Sequence, residues 1–193
     1  MNIPLLKKLC ETPGTSGFES QIRDVIEKEI RSYCDEISID NMGNLIALVK
    51  AKKRVSPKKI MLAAHMDEIG FMVTNIDDNG FIRFHTLGGF DPKTLTAQRV
   101  VIHGQKSVIG VMGSKPIHLM KLEERKKELQ IEDFFIDTGM SVAEVKKIIA
   151  VGDPITRERE LIEMGNCINC KSLDNRISVY VLIEVLKQLK EPQ

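Results

Sequence analysis

Ala64-His65-Met66-Asp67-Glu68 places an imidazole and two carboxylates side by side, directly after the apolar run Ile60-Met61-Leu62-Ala63-Ala64. A dry strand ending in such groups puts metal-binding chemistry at the carboxyl edge of a sheet, where open α/β folds hold their ligands. Residues two apart in an extended chain point the same way. Asp67 can therefore hydrogen-bond one ring nitrogen of His65 while the other binds a metal ion. The competing reading is a histidine that ends a strand beside ordinary loop acids.

Asp174 is the second candidate. It lies in Lys171-Ser172-Leu173-Asp174-Asn175-Arg176 at the start of an apolar helix. The positive end of a helix favours an ionised carboxylate, which suits a metal ligand and equally suits a plain N-cap.

Other chemistry-bearing residues read as structural. Glu123 and Glu124 form the only adjacent glutamate pair, but they lie in the charged stretch Lys121 to Lys127 and are expected on a solvated face. Glu68 is expected to face solvent or a neighbouring loop. His85 and His103 alternate with apolar residues and are expected to be structural. Cys167-Ile168-Asn169-Cys170 has the spacing of a zinc knuckle or redox pair, yet a structural zinc needs two more ligands and no second pair exists. With Cys10 and Cys34 these are expected to be reduced packing thiols.

The elements that must position His65 and Asp174 follow from pattern. The first forty residues predict two helices separated by Thr12-Pro13-Gly14-Thr15-Ser16-Gly17. In the second, Ile22, Val25, Ile26 and Ile30 recur at helical spacing, with Ser16 or the residues just after it as N-cap. Strands are predicted over residues 36–40 and 45–50, around the turn Asn41-Met42-Gly43-Asn44. A polar linker over residues 52–59 leads into the apolar strand that ends at His65. From residue 69 the texture changes to short alternating strands broken by glycine turns: residues 71–76, 81–85, 99–103 and 107–112. Helical insertions are predicted over residues 119–129 and 141–150. The last helix carries Ile177, Val179, Tyr180, Val181, Leu182, Ile183, Val185, Leu186 and Leu189 around most of its circumference, so it needs covering on more than one side.

Composition bounds the answer. The chain has 193 residues, 42% of them hydrophobic, enough for one large domain or two small ones. Its 28 Lys and Arg balance 27 Asp and Glu, a formal charge of +1, which speaks against nucleic acid and acidic membranes as partners. The N-terminal residues lack the long apolar run of a signal peptide, so the expected compartment is the cytoplasm. The expected architecture is an α/β unit made of residues 1–68 and 163–193, interrupted by a β barrel over residues 69–162.

The order of these motifs resembles the TET-type metallo-aminopeptidases, a family that includes glutamyl and leucyl aminopeptidases and some proteins named endoglucanases. The matching stretches begin with Gly14-Thr15-Ser16-Gly17-Phe18-Glu19, Asp40-Asn41-Met42-Gly43-Asn44 and residues 63–71. They continue through Leu87-Gly88-Gly89-Phe90-Asp91-Pro92, Gly113-Ser114-Lys115-Pro116 with His118, Phe135-Ile136-Asp137, Val151-Gly152-Asp153-Pro154 and Leu173-Asp174-Asn175-Arg176.

The resemblance implies an incomplete three-layer α/β catalytic domain interrupted by an inserted β-barrel oligomerisation domain. It makes His65 a terminal metal ligand, Asp67 the aspartate that orients it, and Asp174 the carboxylate bridging two divalent ions, zinc or cobalt and occasionally manganese. The substrate would be a peptide, cleaved by a metal-activated water. His118 resembles a family packing position, and Asn175 stands where many relatives have aspartate. The family's Glu-Glu pair, a further aspartate and a C-terminal histidine lie beyond the matched part, so the chain as given is expected to be catalytically incomplete. The alternative is a non-catalytic module that keeps the self-associating barrel. Glycoside hydrolysis ranks below both, because no two carboxylates have the context of an acid facing a nucleophile.

Overall fold

The computed structural model describes residues 1–51 and 58–190, so most of the predicted linker over residues 52–59 lies outside the described residues. The chain divides into two units: Met1–Glu68 with Glu160–Gln193, and Ile69–Arg159. Each has its own apolar core.

In the first unit, helix α1 (Ile3–Glu11) buries Leu5, Leu6, Leu9 and Cys10. Asn2 caps it by accepting the Leu5 N–H at 3.1 Å, and Pro4 occupies the first turn, where its missing N–H costs nothing. Helix α2 (Ser20–Ile30) buries Ile22, Ile26 and Ile30 along one face, as their spacing predicts. Its N-cap is Glu19, which makes no side-chain cap bond; Ser16 is engaged elsewhere. Strands β1 (Glu36–Ile39) and β2 (Leu45–Leu48) pair antiparallel around the predicted turn.

The expected strand over residues 60–64 is not formed. Ile60 and Met61 are both 88% exposed and Leu62 is 58% exposed. A strand exists through its ladder of inter-strand hydrogen bonds, and among the described residues none pairs with this run. Its apolar composition specified side-chain chemistry but could not supply a neighbour.

In the second unit, β3 (Gly70–Ile76), β4 (Ile82–Leu87), β5 (Arg99–His103), β6 (Ser107–Ser114), β7 (Phe134–Asp137) and β8 (Pro154–Arg157) close a six-stranded barrel in the order β3-β4-β7-β6-β5-β8. Phe71, Val73, Ile82, Val100, Ile102, Ile136 and Ile155 fill it, all fully buried. Closure removes the unpaired edges a small sheet would otherwise expose. Helix α3 (Val142–Ile148) is held by a Ser141–Glu144 capping box and places Val145 against the barrel core. The helix predicted over residues 119–129 is absent; the chain there makes short 3-10 turns at Ile117–Leu119 and Glu124–Lys126. Its charges fill too much of the helical circumference to leave an apolar stripe worth burying.

The chain re-enters the first unit through the hairpin β9 (Ile162–Met164) and β10 (Cys167–Asn169) and ends in α4 (Leu173–Lys190). Val179, Tyr180 and Ile183 are buried in the core shared with α1 and α2, whereas Val181 and Leu189 are more than half exposed. One side of the apolar helix is covered and the other is open. No helix among the described residues is long and apolar enough to cross a membrane.

Candidate metal-binding site

The α1–α2 loop supports the segment carrying His65. The Gly14 carbonyl accepts the Glu68 N–H at 2.8 Å, and Thr15 and Glu68 form a parallel bridge. A Cβ on Gly14 would stand 2.6 Å from Ile22 Cγ2 and 3.0 Å from Arg176 Nη2, so glycine alone permits this approach. Ser16 Oγ donates to Asp67. In this frame Asp67 Oδ1 lies 2.7 Å from His65 Nδ1, and His65 Nε2 lies 3.2 Å from Asp174 Oδ1. The Asp67 carboxylate faces Nδ1 as an acceptor, and Nε2 is the ring nitrogen that faces Asp174. Burial works to raise the Asp67 pKa, but the hydrogen bonds from Ser16 and His65 outweigh it and hold the carboxyl below its ordinary value.

Asp174 has φ −85° and ψ 106°, and Asn175 is also non-helical, so regular helix begins after them. The Asp174-Asn175 peptide is cis. Asp174 thus precedes the helix it was expected to open, and its carboxylate faces His65 across 109 residues of sequence. Its side chain is 94% exposed and that of His65 is 55% exposed, so the pair is open to solvent.

Behind the pair lies a buried ionic frame that sequence reasoning missed. Glu68, expected at the surface, is 2% exposed, and its carboxylate accepts two hydrogen bonds from Lys171 Nζ at 2.5 and 2.8 Å. Burial lowers the Lys171 pKa and the Glu68 charge opposes it. Arg176 is fully buried; its Nη1 donates to the Leu9 carbonyl and, at 3.2 Å, to that of Thr12, tying α4 to the end of α1. Its Nε and Nη2 meet no acceptor among the described residues, while Glu68 and Asp67 supply nearby negative charge. Ser172 Oγ donates to the Cys10 carbonyl at 2.7 Å. Glu68 adjoins Asp67 in sequence, and Lys171 and Arg176 bracket Asp174. The frame therefore fixes the backbone on both sides of the His65–Asp174 contact. No local signal in the sequence marks this pair, because the burial that makes Lys171 demand a partner appears only in the folded chain.

Among the described residues no group of three His, Cys, Asp or Glu side chains is arranged to hold a metal ion by itself. Glu123 is exposed in the barrel unit, as expected for a solvated face. His103 bonds Thr156 Oγ1 at 2.9 Å across neighbouring strands, a structural role. A cavity of about 260 Å³ in the barrel unit is lined by Phe71, Phe90, Leu95, Met112, Arg157 and three other residues, none of them an acid, histidine or thiol.

Comparison with known proteins gives this geometry a context. The chain is 35% identical over 195 residues to the lysyl aminopeptidase of Pyrococcus furiosus, covering 97% of itself and 55% of that protein. It superposes on a TET aminopeptidase from a marine-sediment Thaumarchaeota archaeon with a TM-score of 0.91 at 35% identity, covering 97% of itself and 53% of that chain. The TET1 peptidase of Pyrococcus horikoshii, which can assemble into a tetrahedron or a large octahedral shell, matches with a TM-score of 0.83 at 34% identity, covering 96% of this chain and 56% of that one. The chain thus spans about half the length of these relatives. The family model for M42 glutamyl aminopeptidases matches residues 43–193, a span that holds His65, Asp67 and Asp174. With its mixed α/β first unit, six-stranded barrel and matching order of motifs, the chain belongs to the M42 glutamyl aminopeptidase family.

Proposed function

We propose that this chain carries the first part of the active site of a metal-dependent aminopeptidase, which removes N-terminal residues from peptides. The observation that supports it most is the meeting of His65 Nε2 and Asp174 Oδ1 at 3.2 Å, with Asp67 behind the imidazole. Two ligands of one tetrahedral zinc, at bond lengths near 2.1 Å, stand roughly 3.4 Å apart. The His65–Asp174 spacing fits one cation held between them. An imidazole nitrogen with carboxylate oxygens suits zinc, cobalt and manganese alike.

A divalent cation bound there would acidify a coordinated water and polarise the scissile carbonyl. The residues of this chain prepare that chemistry. Asp67 keeps the proton on Nδ1, so that Nε2 presents a lone pair. Ser16 holds Asp67 in place and helps keep it ionised. The exposed carboxylate of Asp174 would help hold a second ion, the role the family resemblance implies for it. The acceptor of the water's proton is not among these residues, and the resemblance assigns it to a Glu-Glu pair in the other half of the relatives' length. General-base assistance is typically worth 10²–10⁴-fold, so the chain alone is expected to turn over at background rate.

Hydrolysis of aminoacyl p-nitroanilides, with zinc or cobalt added, tests this on the chain alone and on the chain joined to its downstream coding sequence. The longer protein is expected to be active and to lose activity with His65→Ala. An inactive longer protein would refute the peptidase reading, and an active short chain would refute the incompleteness.

A second reading, a self-associating module, draws support from the barrel unit, which has its own closed sheet and core. In this reading the barrel makes the subunit contacts, in line with a relative that assembles into a tetrahedron.

A further inference from the structure

Cys10 and Cys170 are 160 residues apart in sequence and belong to one packed cluster in the first unit. Cys10, in the last turn of α1, is completely buried. The hydrogen bond from Ser172 Oγ to the Cys10 carbonyl, at 2.7 Å, pins the run Cys170-Lys171-Ser172 against that turn and sets the two thiols beside each other. Cys170 is half-buried, and its sulfur accepts the backbone N–H groups of Lys171 and Ser172. The Lys171 and Arg176 cations both feel its charge, while Glu11 opposes them. The exposed alternative partner, Cys167, lies on β10, on the other side of the Cys-x-x-Cys spacing.

We infer that Cys170 is a peroxide-reactive modification site and that the buried Cys10, not Cys167, is its resolving thiol. The microenvironment is that of an activated thiolate: amide donors, neighbouring cations and partial access to solvent. Interaction with Cys10, which donates toward the Cys170 sulfur, is the largest influence on the pair; it pulls the Cys170 pKa down to about 6 against the effect of burial, and pushes that of Cys10 up. At neutral pH the partly exposed sulfur is therefore the nucleophile and the buried one holds the proton.

The chemistry balances with hydrogen peroxide as the oxidant. The Cys170 thiolate attacks one peroxide oxygen, the O–O bond breaks, and the departing hydroxide takes a proton to leave as water, giving a sulfenic acid. Cys10 then gives up its proton and its sulfur attacks the Cys170 sulfur. The S–O bond breaks, the hydroxyl leaves as a second water, and an S–S bond forms. Two thiols have lost two electrons and two protons to one peroxide.

The test is peroxide treatment of the purified chain, followed by intact-mass measurement and non-reducing peptide mapping. The expected result is loss of the mass of two hydrogens and a Cys10–Cys170 cross-linked peptide, preserved in Cys167→Ser and abolished in Cys170→Ser. Cys10→Ala should leave a sulfenic acid on Cys170 that dimedone captures. A link from Cys170 to Cys167, or a Cys170 that oxidises no faster than Cys167, would overturn the assignment. Mapping of the unsubstituted chain alone decides the partner, so a variant that fails to fold does not rescue the proposal.

Discussion

His65 is held on one side by a carboxylate and presents its free nitrogen on the other, and the two sides have different consequences when changed. Asp67→Asn keeps the shape but replaces an anionic acceptor with an amide that no longer dictates which ring nitrogen carries the proton. Partners of this kind are worth about 10–100-fold in metal affinity. Competition titration with a chromophoric chelator should show a loss of that order for Asp67→Asn and a larger one for His65→Ala. Equal affinity in Asp67→Asn and the unsubstituted chain would remove Asp67 from the site. The His65–Asp67 contact agrees with their spacing of two, although the strand meant to supply it is not formed, and Asp174 lies before the helix it was expected to open. Glu68 was not legible: a glutamate beside a glycine-flanked loop reads as solvated unless its distant lysine is known, and Lys171 is 103 residues away.

At the scale of elements, the buried Glu68–Lys171 pair joins the α1–α2 loop region to the start of α4. Removing one partner strands a charge in a dry site, at a cost of about 3–5 kcal/mol. Urea denaturation of Lys171→Met should show a loss of that size, with most of it recovered in the Glu68→Leu, Lys171→Met double variant. Retained stability in the single variant would mean that water reaches Glu68. In the barrel unit, Gly104 lets the β5–β6 turn close on α3: a Cβ there would stand 2.1 Å from the Ile148 carbonyl oxygen and 2.8 Å from Asp153 Oδ2. Because the obstacle is backbone, Gly104→Ala is expected to cost about 1–3 kcal/mol, read by thermal or urea unfolding. Helices α1, α2 and α3, the β1–β2 hairpin and most barrel strands were readable from periodicity and turn residues, which are local. The run at residues 60–64 was misread because a strand is a property of two chains of hydrogen-bonding groups, and the sequence of one says nothing of the other. Strands β7 and β8, no shorter than β1 and β2, escaped because neither is joined to a neighbouring strand by a tight turn that would mark it.

At the scale of the whole molecule, the first unit leaves Ile60, Met61, Leu62, Val181 and Leu189 exposed, a quantity of apolar surface that favours association. Size-exclusion chromatography with light scattering should therefore return a mass above that of one chain, and a clean monomer at high concentration would contradict this. Family membership follows from motifs in order along the chain, and these are visible in the sequence alone. Convergence of the groups from the two ends of the first unit followed from the family resemblance alone, since no periodicity spans 109 residues. The most direct test of the central claim is a Co²⁺ titration of the chain followed by visible absorption. The account predicts a ligand-field band that saturates with metal, is lost in both His65→Ala and Asp174→Ala, and survives in Glu123→Gln. A titration indifferent to substitution at His65 and Asp174 would contradict it.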